Sequence, residues 1–403
     1  MTSSVRQWWR RAAAALKDRR SLLLARLRPR RAGSSSSWHH RELEAAVIRA
    51  TSHEDRWMDY RSAARVFAWA RSSPSVLRPV MWALARRARR TRCWVVALKS
   101  LMVAHGILLR SGLAPRAARA GRVPFELADF RDRSSFSSSS AAKSLAFSAF
   151  VRAYFRFLDY RSLFAALEDT SGDDDANKCS DDPQTACLDR IAKKQFLLEL
   201  LLQIRPYGDG MEVPLVLEAM DCALIEIFQV YSEICTGIAR FLVSGVPGGP
   251  AKPTMRKAAT AAGLKVLWRA AEQSAQLSSY FDLCRGLGVA NARKLPAAFI
   301  RLKDDDVRDL ERILMSDTQD DNSDEAEPEA EAEGMTPADV KDAGPTSTTT
   351  TVVTTTTEWV AFDDEKSSAG AVASGGGHVS NHWNPFVAAP LDGREVGNLI
   401  ELF

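Results

Sequence analysis

From Trp8 to Leu314 apolar positions recur at three- and four-residue steps, and up to residue 315 no period-two alternation of useful length interrupts them. The central stretch is Trp94–Gly112. Trp94, Leu98, Leu101, His105 and Leu108 form one stripe there, which Val95, Met102 and Leu109 widen. A stripe that wide predicts a helix buried on most sides, with Gly112 as its C-terminal stop. Lys99, His105 and Arg110 interrupt it, and its apolar run is far shorter than the roughly 18 residues a membrane span needs.

On either side the same reading gives further helices. Trp8–Leu27 carries Trp8, Ala12, Ala15, Leu16, Arg19 and Leu23 on one face and arginines on the rest. Two readings fit it: a helix lying on a lipid surface, and an ordinary first helix packed on the domain. Helical periodicity returns at Arg41–Ser52, Val66–Arg71, Val76–Ala85, Ala146–Ala166, Ile191–Ile204, Val213–Phe241, Thr254–Gly286 and Ala297–Leu314. The breaks fall at Pro29 with Gly33–Ser37, at Ser72–Pro74, at the serines ending at Ser140, at Asp169–Pro183, at Pro206, at Pro247–Pro253 and at Gly288–Pro296. The expected class is all-α, a right-handed, solenoid-like stack of helical hairpins. From Asp317 the sequence turns acidic, then threonine-rich, then Gly/Ser-rich, which predicts a disordered tail. The expected division is 1–40 as basic helix and loop, 41–315 as helical domain and 316–403 as tail.

Charge adds a direction. The net charge of +4 conceals a basic front half, with roughly three basic residues per acidic one up to Arg161, and an almost purely acidic Asp317–Glu333. Such a front half suits an anionic surface. No nucleic-acid recognition module accompanies it, so nucleic acid is not expected as the partner. The six cysteines contain no CxxC pair and read as free, packed thiols of a reduced compartment. No secretory signal is legible. Arg6–Arg31, arginine-rich and acid-poor before Ser34–Ser37, also fits a transit peptide, which leaves an organelle-imported helical scaffold as the alternative.

Catalytic chemistry is not expected. The histidines at 39, 40, 53, 105, 378 and 382 have no paired-ligand spacing, and His105 reads as a core residue. There is no P-loop, GxSxG or kinase signature. Asp173–Asp175 lack the spaced ligands of a calcium loop. No metal, cofactor or enzymatic activity is therefore expected.

The basic run Ala83–Arg92 followed by WVVALKSLMVAHGILLRSG resembles the central helix of an ANTH domain from plant-type clathrin assembly proteins. Arg49-Ala50-Thr51-Ser52-His53-Glu54, Phe125–Asp132, Phe150–Arg161 and Phe228–Ile238 resemble further stretches of that family. The resemblance implies a domain that holds phosphatidylinositol bisphosphate or other anionic lipids. The basic residue opening the Ala-Thr-x-His-Glu motif, here Arg49, would be one ligand, with a Lys/Arg cluster about ten residues on. Asp59-Tyr60-Arg61-Ser62 stands at the cluster, so Arg61 is the match, with Arg56 as substitute; Lys17 completes the implied set. By itself Arg49 would read as a solvated helix-face charge. Multivalent phosphates need several converging cations, so a cluster thinned in this way predicts salt-sensitive and poorly selective binding.

Three tail peptides continue the resemblance. Trp359, Val360 and Phe362 ahead of Asp363-Asp364-Glu365 resemble the peptides that bind appendage domains of clathrin adaptor complexes. Asn384-Pro385-Phe386 resembles the turn read by EH-domain proteins. Leu399-Ile400-Glu401-Leu402-Phe403 resembles a clathrin box, which binds the terminal domain of clathrin heavy chain, with the terminal carboxylate in place of the usual acidic residue. The family also implies vesicle SNAREs as partners of the C-terminal helices. These features together imply an endocytic adaptor, cytoplasmic and peripheral to the membrane at clathrin-coated pits and vesicles, at the plasma membrane and the Golgi.

Overall fold

Proline fixes φ and lacks an N–H, so it opens a helix without losing a bond, and four helices of this chain begin on one. The computed structural model describes residues 3–27, 36–72, 74–109, 121–134, 141–170, 183–244, 253–294 and 304–320. Its helices are α1 (Ser3–Leu27), α2 (Ser36–Ala50), α3 (Tyr60–Ser72), α4 (Pro74–Arg90), α5 (Trp94–Leu109), α6 (Ala141–Thr170), α7 (Pro183–Leu202), α8 (Pro214–Ser244), α9 (Pro253–Leu287) and α10 (Asp304–Asp320), with a 3-10 turn at Asn291–Lys294. Among the described residues there is no strand. Asp59 caps α3, accepting the Ser62 N–H at 3.0 Å and the Ser62 hydroxyl at 2.6 Å.

Helices α1 to α8 pack each on the next, whereas α9 turns back mainly onto α7 and carries α10 on its own flank. The architecture is the all-α stack of helical hairpins that the periodicity predicts. The elements run longer than their apolar stretches: α3 and α4 extend both ways beyond Val66–Arg71 and Val76–Ala85, and α7 starts eight residues before Ile191. Asp169 and Thr170, expected in a loop, close α6. Polar end turns carry no periodic apolar signal, so the pattern undercounts them. Gly112, the serines from Ser135 to Ser140, Pro247, residues 297–303 and the tail from 321 lie outside the described residues.

Helix α5 is the centre. Every residue from Trp94 to Leu108 is buried, because α2, α3, α4, α6 and α8 all pack on it. Its first N–H, that of Trp94, donates to Asp132 at 3.1 Å, and the Trp94 ring stacks on Phe147 at 4.0 Å. Asp132 lies two residues before the end of the segment 121–134, which buries Val123, Phe125, Leu127 and Phe130. Helix α8 is long and apolar enough over Pro214–Val243 to cross a membrane, but half of its most apolar window is buried within the domain.

His105 is the core residue the stripe predicts, but it is satisfied on one side only. Its Nδ1 lies 2.8 Å from the Tyr154 hydroxyl, while its Nε2 has no hydrogen-bond partner among the described residues and stands 3.6 Å from Glu226. Arg161 Nε donates to the other Glu226 oxygen at 2.6 Å. Burial alone would raise the Glu226 carboxyl, but the neighbouring His105 and Arg161 outweigh it and hold it down to about 2. Its ionised form therefore stabilises the fold above the ordinary carboxylate pKa, and that contribution is lost as pH falls toward 2. Replacing Glu226 by alanine takes the carboxylate from between His105 and Arg161 and leaves a void, and should cost about 3–5 kcal/mol at neutral pH. Urea unfolding of the variant against the parent chain measures it.

Candidate anion-binding cleft

The two ends of the α2–α3 connection are held by a buried lysine and a half-buried glutamate, and this sets the geometry of the basic surface. Lys99 of α5, fully buried, donates to the Glu54 carbonyl at 2.6 Å and lies 3.4 Å from the Ser52 hydroxyl. Burial pulls its ammonium down to about 8 despite the surrounding carboxylates. From α8, Glu218 accepts the Met58 N–H at 3.2 Å. Between these anchors the chain presents His53, and the exposed Arg56 places its guanidinium 5.9 Å from the Trp57 ring centroid.

Three helices then enclose a cleft of about 360 Å³, within the usual range for ligand pockets. Lys17 and Arg20 come from α1, Glu44 from α2, His53 from the connection, and Arg86, Arg87 and Arg90 from α4. Five cations thus face one carboxylate on its lining. The spacing 86, 87, 90 puts the three arginines on one side of α4. Arg86 reaches Glu44 at 3.8 Å. Arg87 is spent on structure, donating to Asp18 at 2.9 Å, Ser21 at 3.1 Å and the Thr51 carbonyl at 3.2 Å. Lys17, Arg20 and Arg90 have no acidic partner among the described residues, and each is exposed.

Of the residues the resemblance implied, only Lys17 lines this cleft. Arg49 is exposed in the last turn of α2 and Arg61 in the first turn of α3; neither they nor Arg56 lines it. Sequence reasoning missed Arg20, Arg86, Arg87 and Arg90 as a group. The density of Arg86–Arg92 was a legible signal, but its meeting with α1, some seventy residues earlier, was not. The tail peptides at 359–362, 384–386 and 399–403 lie outside the described residues.

On the outer side of α1, Trp8, Trp9, Leu16, Leu23 and Leu27 fall within an arc of about 100° on a 3.6-residue helix, and all are exposed, from 56% at Leu23 to 75% at Leu27. Asp18, Ser21 and Ala25 occupy the inner side. A helix that faces its domain with small residues and solvent with large apolar ones has the reverse of the usual polarity, and an exposed apolar stripe of this kind marks an interaction face.

Fold and cleft define a helical-hairpin domain with a cationic groove under its first helix. The family model of the ANTH domain matches residues 42–305, well over half of the chain, and the chain belongs to that family. It is 40% identical over 283 residues to an Arabidopsis thaliana protein named "Putative clathrin assembly protein At1g25240", covering 69% of this chain and 70% of that one. Two others from that plant, At1g68110 and At1g14686, bear the same name and are 38% and 36% identical. The alignments cover 70% and 68% of this chain, and 70% and 75% of those proteins.

Glu218 yields a test of how the α2–α3 connection is held. Burial raises its carboxyl to about 7 against the opposing Met58 N–H, so the unfolded chain releases this proton first and stability falls as pH rises from about 4.5 to 7. In Glu218→Gln that part of the slope, on the order of 2–3 kcal/mol, should vanish. Urea unfolding of both proteins across this range decides it.

Proposed function

We propose that this protein is a clathrin adaptor that binds phosphoinositide-containing membrane through residues 41–315 and recruits the coat through residues 316–403, promoting coat assembly and vesicle budding. The observation that carries the membrane half is the cleft, where Lys17, Arg20 and Arg90 have no acidic partner among the described residues and Arg86 and Arg87 stand beside them. Multivalent phosphates bind best to such converging cations. The apolar face of α1 supports the same reading, since it suits the headgroup boundary of a bilayer next to a bound headgroup. Arg49, Arg56 and Arg61 then add peripheral charge. The ties from α1 to His53 and Arg87 favour this over an imported scaffold whose arginine-rich start is removed.

For the coat half, membership in the ANTH family and the names of the relatives support clathrin as the partner. Leu399, Ile400, Glu401, Leu402 and Phe403 are proposed to contact clathrin heavy chain, Trp359, Val360 and Phe362 the adaptor appendages, and Asn384, Pro385 and Phe386 the EH-domain proteins. Vesicle SNAREs are proposed partners of the C-terminal helices. The site of action is coated pits and vesicles at the plasma membrane and Golgi. Weak peptides on one chain reinforce each other through effective concentration, which suits a coat that must disassemble.

Reversing Lys17, Arg20 and Arg90 together to glutamate should lower binding to phosphatidylinositol bisphosphate liposomes by at least roughly 100-fold at low salt, at about 1 kcal/mol for each cation lost. Arg49→Glu should cost about tenfold or less by the same scale. Co-sedimentation across liposome compositions measures both, and an unchanged triple variant would remove the cleft from the membrane contact.

For the tail, a peptide of residues 390–403 should pull down the clathrin terminal domain. Changing Leu399 and Leu402 to alanine should abolish this, each buried leucine contributing roughly 1.5–3 kcal/mol. Equal binding by the two peptides would mark the resemblance at the chain end as coincidental.

A further inference from the structure

Helix α1 carries seven basic side chains and one acidic one, Asp18. That carboxylate is largely buried and binds two residues of the cleft lining, His53 and Arg87. Its Oδ2 accepts the His53 backbone N–H at 2.9 Å. Its Oδ1 accepts from Arg87 Nη2 at 2.9 Å and lies 2.7 Å from His53 Nδ1. Burial by itself would raise this carboxyl, but His53 and Arg87 outweigh it and hold it below its ordinary value, so it is firmly ionised. A backbone N–H, an imidazole and a guanidinium converging on one anion are also the donor set that a phosphate group takes.

The rest of the α1 attachment is slight. Among its described residues Ala25 is the only buried hydrophobic one, Leu22 is half-buried, and most of its large side chains are exposed. Ser21 adds one bond to the same Arg87. Among the described residues, Asp18 is thus the one acidic group that ties this cationic helix to the cationic face of α4.

We propose that Asp18 is a built-in stand-in for the anionic ligand: it occupies the innermost anion position on Arg87 and His53, and a multiply phosphorylated headgroup displaces it. The bridge between α1 and α4 then passes from Asp18 to the bound phosphates, which Lys17 and Arg20 contact from one side and Arg86, Arg87 and Arg90 from the other. This deepens, and depends on, the phosphoinositide reading of the cleft. A phosphate carries more charge and more acceptor oxygens than a carboxylate, so it can replace Asp18 on both donors and still reach the rim. Headgroup capture would thereby re-seat α1 and its outer apolar face against the bilayer.

The test uses the full chain, its Asp18→Asn variant and its Asp18→Glu variant, with two probes: soluble inositol trisphosphate, and phosphatidylcholine vesicles with or without phosphatidylinositol bisphosphate. Removing the competing charge should tighten trisphosphate binding roughly 5- to 10-fold at low salt, while Asp18→Glu, which keeps the charge, should not tighten it. In Asp18→Asn the α1 amides should exchange hydrogen faster than in the parent chain, and added trisphosphate should restore their protection. Tightening with both probes supports a lipid headgroup as the occupant. Tightening with the soluble probe alone supports a free polyphosphate, and Asp18 remains its stand-in. If the parent chain binds and Asp18→Asn binds equally or more weakly, Asp18 is a support of the site and the proposal is overturned. Should neither chain bind either probe, the phosphoinositide reading itself fails and takes this one with it.

Discussion

A helix buried on every side must have each of its polar groups answered from somewhere else in the chain, and α5 places that demand on the whole domain. Its first N–H goes to Asp132, and Lys99 and His105 are not satisfied within the helix either. Lys99 is met by the Glu54 carbonyl, which fixes the α2–α3 connection. His105 is met by Tyr154 of α6 and lies beside the Glu226–Arg161 pair, which joins α8 to α6. A buried ionic group without a partner costs several kcal/mol, so these contacts hold the neighbouring elements in one arrangement and not merely in contact. The surface inherits that order: His53 stands where it does because Glu54, the next residue, is tied down to the core.

The cleft follows a different logic. Among the described residues of α1 only Ala25 is a buried hydrophobic and Leu22 is half-buried, while Trp8, Trp9, Leu16, Leu23 and Leu27 are exposed. The helix is placed by charge, through one carboxylate between two basic elements, and charge-placed contacts are weaker and more readily exchanged than packed ones. The rigid part of the molecule and its exchangeable part therefore meet at Arg87 and His53. Arg87 binds both α1 and the Thr51 carbonyl at the end of α2, so any ligand that competes for it acts on an element the core already holds still.

Much of this was legible in the sequence. The width of the apolar stripe at Trp94–Leu109 gave the burial of α5, the absence of alternation gave the all-α class, and the family phrases around Arg49 and Trp94 gave the ANTH domain. Helix ends were less legible, because polar end turns such as Asp169–Thr170 carry no periodic signal. The site was the least legible. The resemblance directed attention to Lys17, Arg49, Arg56 and Arg61, and of these the structure brings Lys17 alone together with Arg20, Arg86, Arg87 and Arg90.

The reason lies in what a periodic pattern encodes. It reports which face of a helix is apolar, a local property of 3.6-residue spacing, and this determined the class of fold, the central helix and the basic character of the front half. It does not report which polar faces meet, because that depends on how the core helices stack. Asp18 read as one acid among arginines, and Arg87 as one arginine in a run of them. Only the packing of α1 over the end of α2 and the face of α4 made the first a bridge and the second its anchor, across a separation of 69 residues.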